Sequence, residues 1–273
     1  EKKRRTIRRR MMIKALRTAA SGMVAQQMNI DTIANNLANI NTTGFKKSSV
    51  EFQDVLYEKV RRAGTLLSSL NMIPTNLEVG YGVKPVSTTR HFSTGDMMAT
   101  DNPLDVAIQG GGLFQISMPD GTLAYSRDGS FKVSSDGRLV TADGFFVEPE
   151  ITLPQDTIAV AIGIDGRVQV VLPGQVEPQE VGQIELAKFL NPTGLEAIGH
   201  NLFRASSASG DSILGNPSEN GFGELAQGYL ESSNVEIVDE MVNMIIAQRA
   251  YETSGKAIQS ADEMASIANN LKR

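Results

Sequence analysis

The chain has 273 residues and a mass near 29 kDa, enough for one large domain or two modest ones. It contains no cysteine, no tryptophan and two histidines, His91 and His200, which excludes disulfide frameworks, cysteine or histidine-rich metal sites and thiol catalysis. Net charge is −5, but residues 1–10 carry seven bases and one acid, and the other 263 hold 19 bases and 30 acids; so acidic a body lacks the basic face that nucleic-acid binding requires.

The basic head, 1–11, reads as an extension ahead of a start at Met11 or Met12. Lys14 and Arg17 interrupt any apolar signal-peptide core behind it, so no cleaved signal is expected. The longest apolar run, Ile158 to Ile164, is far short of the ~20 residues of a membrane span, so no membrane insertion is expected.

From about Met12 to Ile40 a seven-residue repeat places Leu16, Met23, Ile30 and Leu37 at one position and Ala19, Gln26, Ile33 and Ile40 three residues on. This is a coiled-coil seam on a helix ~44 Å long. Gly44 is the expected stop. Lys46 to Arg62 mixes helical and extended character, and Ala63 to Thr75 reads as a polar connector ending at Pro74. Residues 79–231 are punctuated by Asp-Gly pairs at 120–121, 128–129, 136–137, 143–144 and 165–166. Asp-Gly suits tight hairpin turns, and alternating runs such as Leu113–Ile116, Ser130–Val133 and Arg138–Thr141 lie between them, so a meander of short strands is predicted.

The C-terminal segment opens on Ser233-Asn-Val-Glu236, the spacing of a capping box, with Asp239 and Glu240 in the first turns and Lys272 and Arg273 at the end. Ile237, Met244, Tyr251, Ile258 and Ala265 share one heptad position; Ala247, Ser254, Ala261 and Ala268, all small, share its companion. Ile33–Leu37 recurs as Ile267–Leu271, which suggests that the two ends pair. The fold class expected is α+β: coiled-coil-like terminal helices pairing as a stalk, 12–45 with 232–273, a connector over 46–78, and a central all-β domain of short hairpins over 79–231.

No pattern predicts catalysis, a cofactor or a metal. Gly110-Gly-Gly112 lacks the Lys-Ser/Thr of a phosphate loop and precedes a strand, so it reads as a backbone turn. Asp120, Asp128, Asp136 and Asp143 lack the spacing of a calcium loop and read as turn residues. The apolar stripes spread beyond one seam, to Val238, Val242, Ile245, Ile246 and Met264. A two-helix stalk leaves most of each helix wet, so further neighbours are expected from other chains. Head-to-tail contacts that do not close build an open helical polymer.

The run Ala34-Asn-Asn-Leu-Ala-Asn-Ile-Asn-Thr-Thr-Gly-Phe-Lys46 resembles the N-terminal signature of bacterial flagellar rod and hook proteins, through Asn35, Asn36, Leu37, Asn39, Asn41, Thr43, Gly44 and Phe45. Leu104–Phe114, Tyr125–Phe131 and Asp136–Gly144 are similar to that family's β domain, and Gln227–Glu236 with Glu240–Met244 and Gln248–Glu252 to its C-terminal signature. The resemblance spans 12–273 and is nearest to the distal-rod members. It implies a structural subunit, not an enzyme, without cofactor, that polymerises with itself into a hollow drive shaft across the periplasm and transmits torque to the hook. It implies export without a cleaved signal through the flagellar export apparatus, and contacts with proximal rod proteins, hook protein and bushing ring proteins. Terminal helices would line the inner tube, with Leu16, Met23, Ile30, Ile33, Leu37, Ile237, Met244, Tyr251, Ile258, Ala261 and Ala265 between subunits. A stiffening stretch would lie at Tyr57 to Val79, with Tyr57, Leu66, Leu67 and Pro74. The other readings are a different rod or short hook protein of the same family, or an unrelated tail-like or adhesin-like assembly protein.

Overall fold

The computed structural model describes residues 2–61, 63, 66–68, 71–72, 75–174 and 177–270, and for 2–13, 66–68, 71–72 and 268–270 the backbone alone. The chain forms two compact units, one built from 1–36, 48–89 and 237–273, the other from 37–47 and 90–236. The described residues of 48–89 fall in the first unit with the two helices, and Lys46 and Lys47 in the second.

Two helices dominate the first unit: α1, Lys2–Ala38, and α2, Ile237–Asn270. Helix α1 begins well upstream of Met12, so residues 2–11 of the basic head are helical. The helices run antiparallel. A methyl built on Gly22 would lie 3.5 Å from Ser254 Oγ, one on Gly255 would lie 3.8 Å from Met23 Sδ, and Asn36 Nδ2 stands 3.3 Å from Glu240 Oε2. Small side chains permit this approach. On α2, Ala247 and Ala261 are buried and Ser254 and Ala265 half-buried, alternating at three- and four-residue spacing with Glu240, Met244 and Ile258.

The described residues of 48–90 form a folded-back β arm. Ser48–Asp54 pairs with Val83–Arg90, Tyr57–Arg61 with Leu77–Gly80, and Leu66–Ser68 with Asn71–Met72. The helical character expected for 46–62 is absent among the described residues, and the polar connector is strand-paired on both sides of 69–70. A long antiparallel ribbon satisfies backbone donors locally, which a polar loop of that length would leave to water. The ribbon is tied to α1 by Lys14 Nζ, which donates to Glu58 Oε2, while Tyr81 Oη donates to the same oxygen at 2.7 Å. The Glu58 carboxylate raises the pKa of Lys14, and its hydrogen bond raises that of Tyr81.

From 90 to 236 the second unit is all β in its described residues apart from one 3-10 turn, Pro192–Gly194. Its largest sheet has nine strands. The main path runs Lys132–Val133, Leu139–Val140, Phe146–Glu148, Leu113–Ser117, Leu123–Ser126, Leu202–Arg204, Glu196–Gly199, and every pairing in it is antiparallel. Alternation along Leu113–Ser117 sends Phe114 and Ile116 into the main core with Phe131, Ile151 and Leu225. Leu113 faces a smaller cluster with Tyr125, Phe189 and Phe203. Four of the five Asp-Gly pairs close turns with glycine at φ 79 to 86°: Gly121, Gly137, Gly144 and Gly166. The pair at 128–129 does not. Gly129 is there because its Cα faces the Val106 carbonyl, leaving no room for a side chain.

The expected capping box is not made. Helix α2 starts only at Ile237, and the Ser233 hydroxyl is buried without a partner among the described residues.

The helix crossing leaves room at Gly22 for a methyl but not for a longer side chain. Gly22→Ala should raise the stability of the helical unit by up to ~1 kcal/mol through helix propensity. Gly22→Leu should lower it by about 1–3 kcal/mol through overpacking. Urea unfolding followed by helical circular dichroism reads both, and two changes of the same sign would contradict the close crossing.

Candidate functional site

The two signature segments meet inside the second unit, and the meeting is ionic. Glu231 ends the strand Tyr229–Glu231 and its side chain is fully buried. Its Oε1 accepts from Lys46 Nζ at 2.6 Å and from Gly95 N at 2.8 Å, and its Oε2 accepts from Arg127 Nε. Lys46 and Arg127 are 1% and 4% exposed, so two cations share one carboxylate away from water. Backbone oxygens meet the excess positive charge. Lys46 Nζ donates to Ser93 O at 2.6 Å; Arg127 donates from Nη1 to Gly112 O at 2.6 Å and from Nη2 to Ile108 O at 2.8 Å and Gly110 O at 2.6 Å. The three-glycine turn thus wraps its carbonyls around a guanidinium. Burial lowers the pKa of Lys46, with Glu231 opposing and Arg127 assisting that shift.

Gly44 shows why the signature needs glycine at that place. Its φ is +66°, its N–H donates to Glu231 O at 2.8 Å, and a Cβ would sit 2.7 Å from the Arg127 carbonyl carbon. Next to it, Lys47 N donates to Asn234 Oδ1 at 2.7 Å, joining the two signatures a second time. Thr43 O accepts from Asn201 Nδ2, and Asn39 Oδ1 accepts from Thr42 Oγ1. Leu37, Asn39, Thr43 and Phe45 are half-buried, and Asn35 and Asn41 are exposed. In the first unit, Asn36 is buried and clamps one residue on both sides: Nδ2 donates to Ser48 O at 2.8 Å, and Ser48 N donates to Oδ1 at 2.9 Å.

Of the residues expected between subunits, Ile33 and Ala261 are buried in the helical unit. Leu16, Met23, Ile30, Leu37, Met244, Ile258 and Ala265 are half-buried. Ile237 and Tyr251 lie outside that face, at 50% and 37% exposure. The opposite side of α2 displays Val238, Met241, Val242 and Ile245, each about half exposed or more. Tyr57 is exposed on the β arm and its hydroxyl is hydrogen-bonded to Asp54, which raises its pKa. Leu66 and Leu67 lie on a strand of that arm, and Pro74 lies outside the described residues.

Sequence reasoning missed the ion trio. Lys46, Arg127 and Glu231 lie 81 and 104 residues apart along the chain, and no spacing rule connects them. Among the described residues no cluster of acids and histidines could hold a metal. Asp120 accepts from Thr122 N and Oγ1, hydrogen bonds that lower its pKa, and Asp128 accepts from Ser130 N, as turn residues do.

Three family models match the chain: "Flagella basal body rod protein" over 16–46, "Flagellar hook protein FlgE/F/G D1 domain" over 107–170, and "Flagellar basal body rod FlgEFG protein C-terminal" over 226–271. The flagellar basal-body rod protein FlgG of Borreliella burgdorferi is 52% identical over 96% of this chain and all of its own length. That of Caulobacter vibrioides is 51% identical over 95% of this chain, and that of Bacillus subtilis 39% over 96%, each again along its whole length. The chain belongs to the FlgG family of flagellar basal-body rod proteins.

Loss of the shared carboxylate should be the most damaging change at the trio. Glu231→Gln leaves two buried cations without an anion and should cost about 3–5 kcal/mol of β-unit stability. Lys46→Met leaves the Glu231–Arg127 pair neutral and should cost less. Denaturant titration of both variants ranks them, and a larger loss for Lys46→Met would contradict the trio as described.

Proposed function

We propose that this chain is a structural subunit of the distal rod of the bacterial flagellum, with no catalytic role. It polymerises with itself into a hollow helical shaft that carries torque across the periplasm from motor to hook. The observation that supports this most is the apolar face of α2. Val238, Met241, Val242 and Ile245 fall at i, i+3, i+4 and i+7 and are 67%, 51%, 49% and 56% exposed. A patch of this kind on a water-facing helix marks an interface. Covering it with a neighbouring copy contributes roughly 1 kcal/mol per half-exposed side chain, modest individually and large along a polymer.

The pairing of α1 and α2 as a coiled-coil stalk lining the inner tube belongs to the same reading. So do subunit contacts through Leu16, Met23, Ile30, Ile33, Leu37, Ile237, Met244, Tyr251, Ile258, Ala261 and Ala265. Since several of these seam residues are already half-buried in the monomer's helix pair, the outward face of α2 takes the larger share of contact between copies. Export without a cleaved signal, and contacts with proximal rod, hook and ring proteins, complete the assignment. In this reading the β arm, through Tyr57, Leu66, Leu67 and Pro74, sets the stiffness of the shaft.

Val242→Asp with Ile245→Asp should leave the β unit folded and the subunit soluble while abolishing polymer in sedimentation and electron microscopy. Normal polymer from that double variant would remove the α2 face from the interface. Deletion of 63–74 should leave assembly possible and shorten the bending persistence length of the shaft seen by electron microscopy; an equally straight shaft would contradict a stiffening role.

A further inference from the structure

The unmade capping box between strand and helix is a structural feature in its own right. Ser233-Asn234-Val235-Glu236 has the spacing in which a serine hydroxyl accepts the N–H of a residue three on and that residue's carboxylate returns to the serine N–H. Here the Ser233 hydroxyl is buried and unpartnered among the described residues, and α2 starts three residues later than the box would start it. Asn234 supplies the reason. Its Oδ1 accepts from Lys47 N at 2.7 Å, and its Nδ2 donates to His91 O at 2.9 Å and to Ser93 Oγ at 3.0 Å. Asn234 cannot become the first residue of a helix while its side chain and backbone hold the segments at 45–47 and 91–93.

We propose that residues 233–237 form a two-position helix start, in which Asn234 holds α2 in its short form and Ser233 and Glu236 carry an unused cap one turn upstream. The long form exchanges the Asn234 bonds for a satisfied Ser233 hydroxyl, a returning Glu236 carboxylate and one further helical turn. The short form strands one hydroxyl and keeps the Asn234 bonds; the long form satisfies that hydroxyl and releases the partners of Asn234. The start of α2 thus has two positions, chosen by whether Asn234 keeps its partners. This device concerns one chain and does not depend on the polymer reading.

The test uses the full dilute chain. In Asn234→Ala, the carbon-13 shifts of 234–236 should move into the helical range and the Glu236 amide should exchange more slowly. In the double variant with Ser233→Ala both changes should disappear. Unchanged non-helical shifts in Asn234→Ala, or helical shifts in the double variant as well, would overturn the proposal. Ser233→Ala alone guards against a misfolded Asn234 variant: its melting temperature should equal or exceed that of the parent. A drop would mean that Ser233 is already a working cap and would equally overturn it.

Discussion

One buried carboxylate holds together what the chain order separates. Glu231 pairs with both Lys46, from the segment after α1, and Arg127, and its backbone oxygen takes the N–H of Gly44. A carboxylate, an ammonium and a guanidinium buried together are tolerable only when all three are present and the remaining donors find carbonyls. The carbonyls are supplied by Ser93, Ile108, Gly110 and Gly112, so the trio at 46, 127 and 231 fixes the path of two further chain segments, at 93 and at 108–112. Gly44 of the N-terminal signature has a positive φ and lies against the Arg127 backbone, and Gly110 and Gly112 of the turn have positive φ as well.

Outside the trio the stability is ordinary. The β unit has a continuous apolar core and short antiparallel pairings closed by Asp-Gly turns. The helical unit has less. Its helix contact is built on glycine, alanine and serine, and one side of α2 leaves large apolar side chains in water. That contrast suits a subunit in which one unit is complete and the other finishes its burial against neighbours.

The helices were legible because heptad spacing is a local property. Met244, Ile258, Ala261 and Ala265 fall on one face of any helix whatever surrounds it. Ile237 and Tyr251 fit the same count yet stand exposed, because the contact follows Glu240, Ala247, Ser254 and Ala261 instead. The β arm was not legible. Its strands combine charged and apolar residues without clean alternation, and Ser/Thr-rich composition resembles a loop. The capping box misled for another reason: local spacing favours it, but Asn234 is engaged by residues 187 and 143 positions away. The signature asparagines and glycine could be recognised as a pattern, while the carboxylate that gives Gly44 and Lys46 their purpose required the fold.

The most direct test of assembly through the outward face of α2 is oxidative footprinting of Met241 in the dilute subunit and in the assembled polymer. Met241 is 51% exposed in the isolated chain and should oxidise readily there. In the polymer its oxidation should fall sharply as a neighbouring copy covers Val238, Val242 and Ile245. Equal oxidation of Met241 in both states would contradict an interface on that face.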